Sequence, residues 1–195
     1  MIANTQRVLG GLILALAGSG LALAEPMTIK DAKKQLFSAK NSEVEMIAHD
    51  FLTPENAALL EQVAQGYAYY AAVAVAPDDE LLKSEATMLV ANHHNADAAS
   101  VAALAGCNAA RKSATPCEVV ALVRPRKWED RDLQLSLEAT LALDADYGRK
   151  GARAMAISLK TGFFGLGQGD DAAAAAVSVC RDKGAEDCIV VVSDE

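Results

Sequence analysis

Aromatic side chains are scarce, with four Phe, four Tyr and one Trp in 195 residues, and bases are outnumbered, 18 Lys and Arg against 26 Asp and Glu. The first shortage excludes a core built on large rings. The second gives a formal charge of −8 and leaves no global positive field to hold nucleic acid or an anionic membrane. Only three histidines are present, and the four cysteines form neither a C-x-x-C pair nor a zinc-like ligand spacing. A dinucleotide fingerprint and a Gly-Lys-Ser/Thr phosphate loop are both missing. Beyond residue 24 no run is long and apolar enough to span a bilayer. What the chain does have is alanine: 40 residues, so of the 52% counted as hydrophobic only about 61 residues are larger than Ala or are Cys. Enough Val, Leu and Ile remain to exclude disorder, and the pattern is neither collagen nor coiled coil. The length suits one domain, or two small ones, with a core of small residues and closely packed helices.

Residues 1–24 read as a secretory signal. Arg7 supplies the positive start, Val8 to Leu21 an uncharged apolar stretch, and Ala22-Leu23-Ala24 the small-x-small site before Glu25. Gly10, Gly11, Gly18 and Gly20 weaken the alternative of a retained spanning helix. No Cys stands near position 25 to accept a lipid. Removing the segment leaves 171 residues with a net charge of −9. The expected location is the bacterial periplasm or the exterior, with no membrane insertion after cleavage.

In an oxidising compartment four cysteines are first a disulfide framework with three connectivities. An internal repeat selects among them. Residues 72–79 and 154–161 are short alternating apolar runs that read as strands; 97–107 and 170–180 are small-residue helices opened by Asp97 or Asp170 and closing on Cys; Cys117-Glu118-Val119-Val120 and Cys188-Ile189-Val190-Val191 each begin a β-rich run. Middle strands fall at Glu85–Ala91 and Phe163–Leu166. The repeat makes the bridges local, Cys107 with Cys117 and Cys180 with Cys188, each tying a helix end to the start of the next strand.

Ahead of the first unit, Thr53-Pro54-Glu55 places an N-cap and a first-turn proline before a helix over Ala57–Gln65. Thr28 and Asp31 form a capping pattern for a helix ending near Phe37, and Glu43–Phe51 is expected to be a second helix. Leu133–Leu143 carries both periodicities; strict alternation suits a strand, i,i+4 pairs such as Leu137 and Leu141 suit a helix, and the turn-like Asp144–Gly151 favours the helix.

The Gly-rich stretch Gly162–Gly169 precedes a helix as a phosphate loop would, but Asp170 and Asp171 at that helix start would repel a phosphate. A hairpin turn at Thr161-Gly162 followed by a strand whose glycines admit a neighbouring backbone is the better reading. His93-His94, flanked by Asn92, Asn95 and Asp97, is the polar pair with most chemical promise. Neighbours on a strand point to opposite faces, so the two imidazoles rarely share one metal. As loop residues they are expected to be solvated, with Leu166 and Gly167 at the matching places of the second unit; His49 beside Asp50 reads the same way. No Ser-His-Asp order stands out. Asp78-Asp79 reads as a turn, and Arg124-Pro125-Arg126-Lys127-Trp128, followed at once by Glu129-Asp130, as a solvated loop.

The stretch from Ala154-Met155-Ala156-Ile157-Ser158 through Thr161-Gly162-Phe163-Phe164-Gly165, Ala172–Ala176, Cys180 and Cys188-Ile189-Val190-Val191-Val192 resembles the bacterial exported family called domain of unknown function 4189. Its pattern is a strand, a turn, a Gly-aromatic strand, an alanine-rich helix ending in Cys and a Cys-led strand. The likeness covers about 110 residues, closely in the second unit and loosely in the first, where Glu85–His94 replaces the Gly-aromatic strand; residues 25–66 lie outside it. It implies an exported disulfide protein and transfers no catalytic residue. A likeness to 5-aminolevulinate synthase has no physical support. Such an enzyme resembles a much longer pyridoxal-phosphate fold, export would part it from cytosolic cofactor and substrate, and no single Lys can be nominated for a Schiff base.

These readings combine into an α+β fold. A signal at 1–24 and a helical segment at 25–66 precede a ββαβ unit at 67–127, a connecting segment at 128–150 and a second ββαβ unit at 151–195, the two units forming one domain. The expected function is a binding or envelope-interaction module that uses a groove between the units, without cofactor, metal or catalytic residue, and with an envelope protein or a small molecule as partner. The alternative is a small hydrolase or metal-dependent enzyme centred on His93 and His94.

Overall fold

A computed structural model describes residues 25–81 and 83–195, so the expected signal at 1–24 lies outside the described residues. Over the described residues the fold is α+β, with five helices, two antiparallel sheets and both local disulfides, Cys107–Cys117 and Cys180–Cys188. No helix among the described residues is long and apolar enough to cross a membrane.

Capping chemistry sets the helix starts. The Thr28 hydroxyl accepts the Asp31 N–H to open α1 (Ile29–Gln35), and Thr53 accepts the Asn56 N–H to open α2 (Pro54–Ala64). Asn95 does the same for α3 (Ala96–Ala110), and Ser136 for α4 (Leu137–Ala145). The fifth helix, α5 (Ala172–Arg181), begins after Asp171 without a side-chain cap. Asp170 therefore lies one residue further out than the sequence places it.

The expected helix over Glu43–Phe51 is instead a strand, β1 (Ser42–Met46). Its Ser-Glu-Val-Glu-Met alternation is a period of two, with Glu43 and Glu45 outward, and it pairs antiparallel with β4 (Glu118–Pro125). Glu45 pairs with Arg124 and Glu43 with Arg126 across the strands. The basic stretch at 124–128 is thus partly strand, and the Arg124 guanidinium lies 4.3 Å from the Trp128 ring centroid.

The first sheet runs β1-β4-β2-β3, where β2 is Ala71–Val75 and β3 is Met88–Val90. The second runs β6-β5-β7, formed by β5 (Arg153–Ser158), β6 (Phe164–Gln168) and β7 (Cys188–Asp194). In each, one strand, β2 or β5, is flanked by its hairpin partner, β3 or β6, and by the strand that follows the helix, β4 or β7, every pairing antiparallel. The ladders even skip a residue at matching places, between Val73 and Ala74 and between Met155 and Ala156. Register therefore equates Ala74 with Ala156, Val90 with Gly167 and Val119 with Val190.

Alternation along the central strands separates two faces. Ala72, Ala74 and Ala76 meet Ala96, Ala99, Ala103 and Cys107 of α3, while Val73 and Val75 pack with Leu60 and Ala64 of α2. Likewise Ala154 and Ala156 meet Ala172, Ala176 and Cys180 of α5, while Met155 and Ile157 pack with Ala32, Ala139 and Leu143 from α1 and α4. Alanine thus lines the close helix–sheet contact in both halves. The glycines of β6 have the same cause. A Cβ on Gly165 would lie 2.1 Å from the Ala176 carbonyl oxygen, and one on Gly167 2.0 Å from that of Ala172. In the first half the space sits on the helix instead, where a Cβ on Gly106 would lie 3.0 Å from Met88. Each disulfide closes a loop with a separation of 10 or 8 residues and is worth about 2.5 kcal/mol by the chain-entropy relation.

Candidate binding cleft between the two sheets

The loop joining β3 to α3 reaches the second sheet. Asn92 adopts the left-handed conformation at φ 60°, as does Gly169 (φ 87°), which occupies the matching place after β6. From there to the helix cap the first loop has one residue more, Asn92 to Asn95 against Gly169 to Asp171. The sequence alignment of His93 and His94 with Leu166 and Gly167 is corrected accordingly, because those residues lie inside β6.

The longer loop delivers His94 into the junction, where it is 1% exposed rather than solvated. Its Nδ1 accepts the Ser136 backbone N–H at 2.9 Å, and its Nε2 lies 3.0 Å from the Phe163 carbonyl oxygen. A neutral ring protonated on Nε2 satisfies both contacts. Burial is the main cause that holds the His94 pKa down at about 4; the His93 and Lys183 charges add to it, while the Phe163 hydrogen bond and Asp187 oppose it. Backbone comes close here as well: a Cβ on Gly162 would lie 1.6 Å from the Asn92 carbonyl oxygen, so only glycine fits.

His93 is half-buried, with Nδ1 3.2 Å from the carbonyl of Ala91. It does not share a centre with His94. His49, expected in solvent, sits against the edge of β4 with Nε2 2.9 Å from the Val119 carbonyl oxygen and Nδ1 2.9 Å from the Glu118 carboxylate. Among the described residues no group of three His, Cys, Asp or Glu is placed to hold a metal ion.

Beside His94 opens a cleft of about 220 Å³ between the two halves. It is lined by His94 and Asn95, by the connecting residues Arg131–Gln134, by Ile157, Leu159 and Ile189–Val191 of the second half, and by Glu25 and Met27. The conflict of periodicities at Leu133–Leu143 resolves here. Leu133 and Leu135 lie outside any helix or strand and are buried beside the cleft, and the helix begins only at Leu137. Most polar groups of the lining are already engaged. The Arg131 guanidinium donates to the Gln35 and Leu36 carbonyls at 3.0 and 3.1 Å, binds Glu129 at 2.7 Å and lies 3.8 Å from the Phe37 ring centroid. Gln134 accepts from Trp128 and donates to Asp130, and the Asn95 amide oxygen caps α3. A shallower depression of about 480 Å³ adjoins across Leu159, floored by Ala98, Val101, Ala102 and Ala105 on α3.

The sequence singled out the His93-His94 pair but expected both rings in solvent, and the role of His94 as the clasp between the halves was not legible. The connecting segment and the β7 edge were missed because nothing in their residue types signals a ligand. Comparison with protein-family models, with curated proteins and with solved structures returned no match, which leaves the geometry of the cleft to carry the functional reading.

Proposed function

We propose that this is an exported protein of two tandem ββαβ units, stapled by one disulfide each, that binds a partner or small ligand in the cleft between them and performs no chemistry on it. The carrying observation is the cleft itself, concave, mostly apolar and placed where the two units meet, with few polar groups left to orient a ligand. Two disulfides and the signal-like residues 1–24 support a periplasmic or secreted location. The resemblance to the domain of unknown function 4189 family belongs to the same reading.

The competing hydrolase or metal enzyme needs a free imidazole nitrogen in the His93-His94 loop. His94 commits both of its nitrogens to backbone groups; His93 sets Nδ1 against the Ala91 carbonyl, and among the described residues no set of three His, Cys, Asp or Glu gathers around it. Methyl NMR of the exported protein titrated with a fragment library tests the binding reading. Shifts should concentrate on Ile157, Leu159, Ile189 and Val191; hits that scatter over other surfaces would overturn it.

A further inference from the structure

Resting on that reading, we infer that the ligand is an extended peptide segment of a partner protein that adds as a strand to the open edge of β7 and presents a Lys or Arg to the mouth of the cleft. Three observations carry this. First, β7 is an edge strand that already accepts extended chain: the Met27 N–H donates to the Val191 carbonyl and the Ser193 N–H to the Met27 carbonyl, in a parallel bridge.

Second, the other half of the molecule shows how such an edge is completed. There β1 pairs with β4 from Ala121 to Pro125, and beyond the end of that ladder the Ile47 N–H reaches the Val120 carbonyl and the His49 ring that of Val119. Register equates Val119 with Val190 and Glu118 with Ile189. Among the described residues no strand or bridge covers Ile189 and Val190 on their outer side, and those two residues line the cleft. Strand addition satisfies such an edge through the main chain, while alternate side chains enter the adjoining apolar space.

Third, the charge is one-sided. Among the described residues Glu25 and Asp132 make no ion pair, and the single cation of the lining, Arg131, is held by Glu129 and two carbonyls. A basic side chain between apolar neighbours complements this mouth; an acidic one meets like charge.

The probes are fluorescein-labelled, end-capped five-residue peptides with Lys at the centre and Val, Leu or Phe on either side, their Glu-centred counterparts, and the same Lys peptides N-methylated at alternate backbone nitrogens. Anisotropy and amide NMR should show Lys peptides binding with shifts at Ile189 and Val190. The Glu and the N-methylated forms should each bind about tenfold more weakly or worse. Leu159→Lys, at a half-exposed position that the fold does not need, should weaken the Lys peptides by a similar factor. Equal binding of Lys and Glu peptides, undiminished binding after N-methylation, or no binding by any Lys peptide overturns the inference. If fragments still shift the cleft methyls in that last case, the cleft remains a binding site and only the peptide assignment fails; if they do not, both readings fall.

Discussion

The imidazole of His94 holds the backbone N–H of Ser136, so a loop of the first sheet sets the residue that caps a helix packed on the second. Through its other nitrogen the same ring meets the carbonyl of Phe163 in the second hairpin. One side chain therefore ties three segments far apart in sequence, and its protonation state is part of the tie.

A ring held near pKa 4 in the folded protein and 6.5 in the unfolded chain makes stability depend on acid. The unfolded chain takes up the proton first, so the contribution is complete above pH 6.5 and falls away as the pH drops toward 4. Its slope is about 1.4 kcal/mol per pH unit, roughly 3 kcal/mol in all. Urea unfolding of the wild type and His94→Gln from pH 7.5 to 4 should show the variant less stable at pH 7.5 but flatter by that slope. Parallel curves would refute the assignment.

His93→Ala should leave stability within about 0.5 kcal/mol, because its ring contacts only a loop carbonyl. His94→Ala strands a buried N–H and a carbonyl and should cost about 2–3 kcal/mol. Thermal unfolding of the two variants side by side decides whether the pair acts as two unlike residues. Equal losses would return them to a shared role.

Gly165→Ala and Gly167→Ala each drive a Cβ into helix backbone and should destabilise by about 3 kcal/mol. Gly151→Ala, which meets nothing but takes a residue with φ 75°, should cost about 1 kcal/mol. Denaturant midpoints of the three variants provide the comparison. A mild loss at Gly165 would mean that α5 can withdraw from β6.

Native protein should show no reactive thiol until it is both reduced and unfolded. Replacing either cysteine pair by Ser should lower stability by about 2–3 kcal/mol. Thiol labelling with mass spectrometry, before and after denaturation in reductant, checks the first statement and calorimetry the second. Stoichiometric labelling of the native, unreduced protein would contradict the pairing.

Local chemistry made much of this fold legible. Thr53-Pro54 announced α2, the glycines of β6 announced a close backbone, and the internal repeat, with Cys at the end of a helix and at the start of the next strand in each unit, announced both bridges. Where the reading failed, long-range pairing decided. Ser42–Met46 is too short for its alternation to outweigh helix-forming residues until β4 lies beside it. At Leu133–Leu143 the alternation serves to bury Leu133 and Leu135 ahead of the helix, the i,i+4 pairs serve the helix itself, and Ser136 marks the change. The burial of His94 depends on one additional loop residue facing a glycine 68 positions away, Gly162, and no local pattern reports such a meeting.

Both bridges join each cysteine to its nearest neighbour in sequence. On the proposed export, a chain that emerges amino end first into an oxidant exposes Cys107 and Cys117 while Cys180 and Cys188 are still to come, so the first available partner is each time the right one. Of the three pairings that four cysteines permit, the order of emergence alone selects the native one. Oxidative maturation can then run without a step of disulfide exchange.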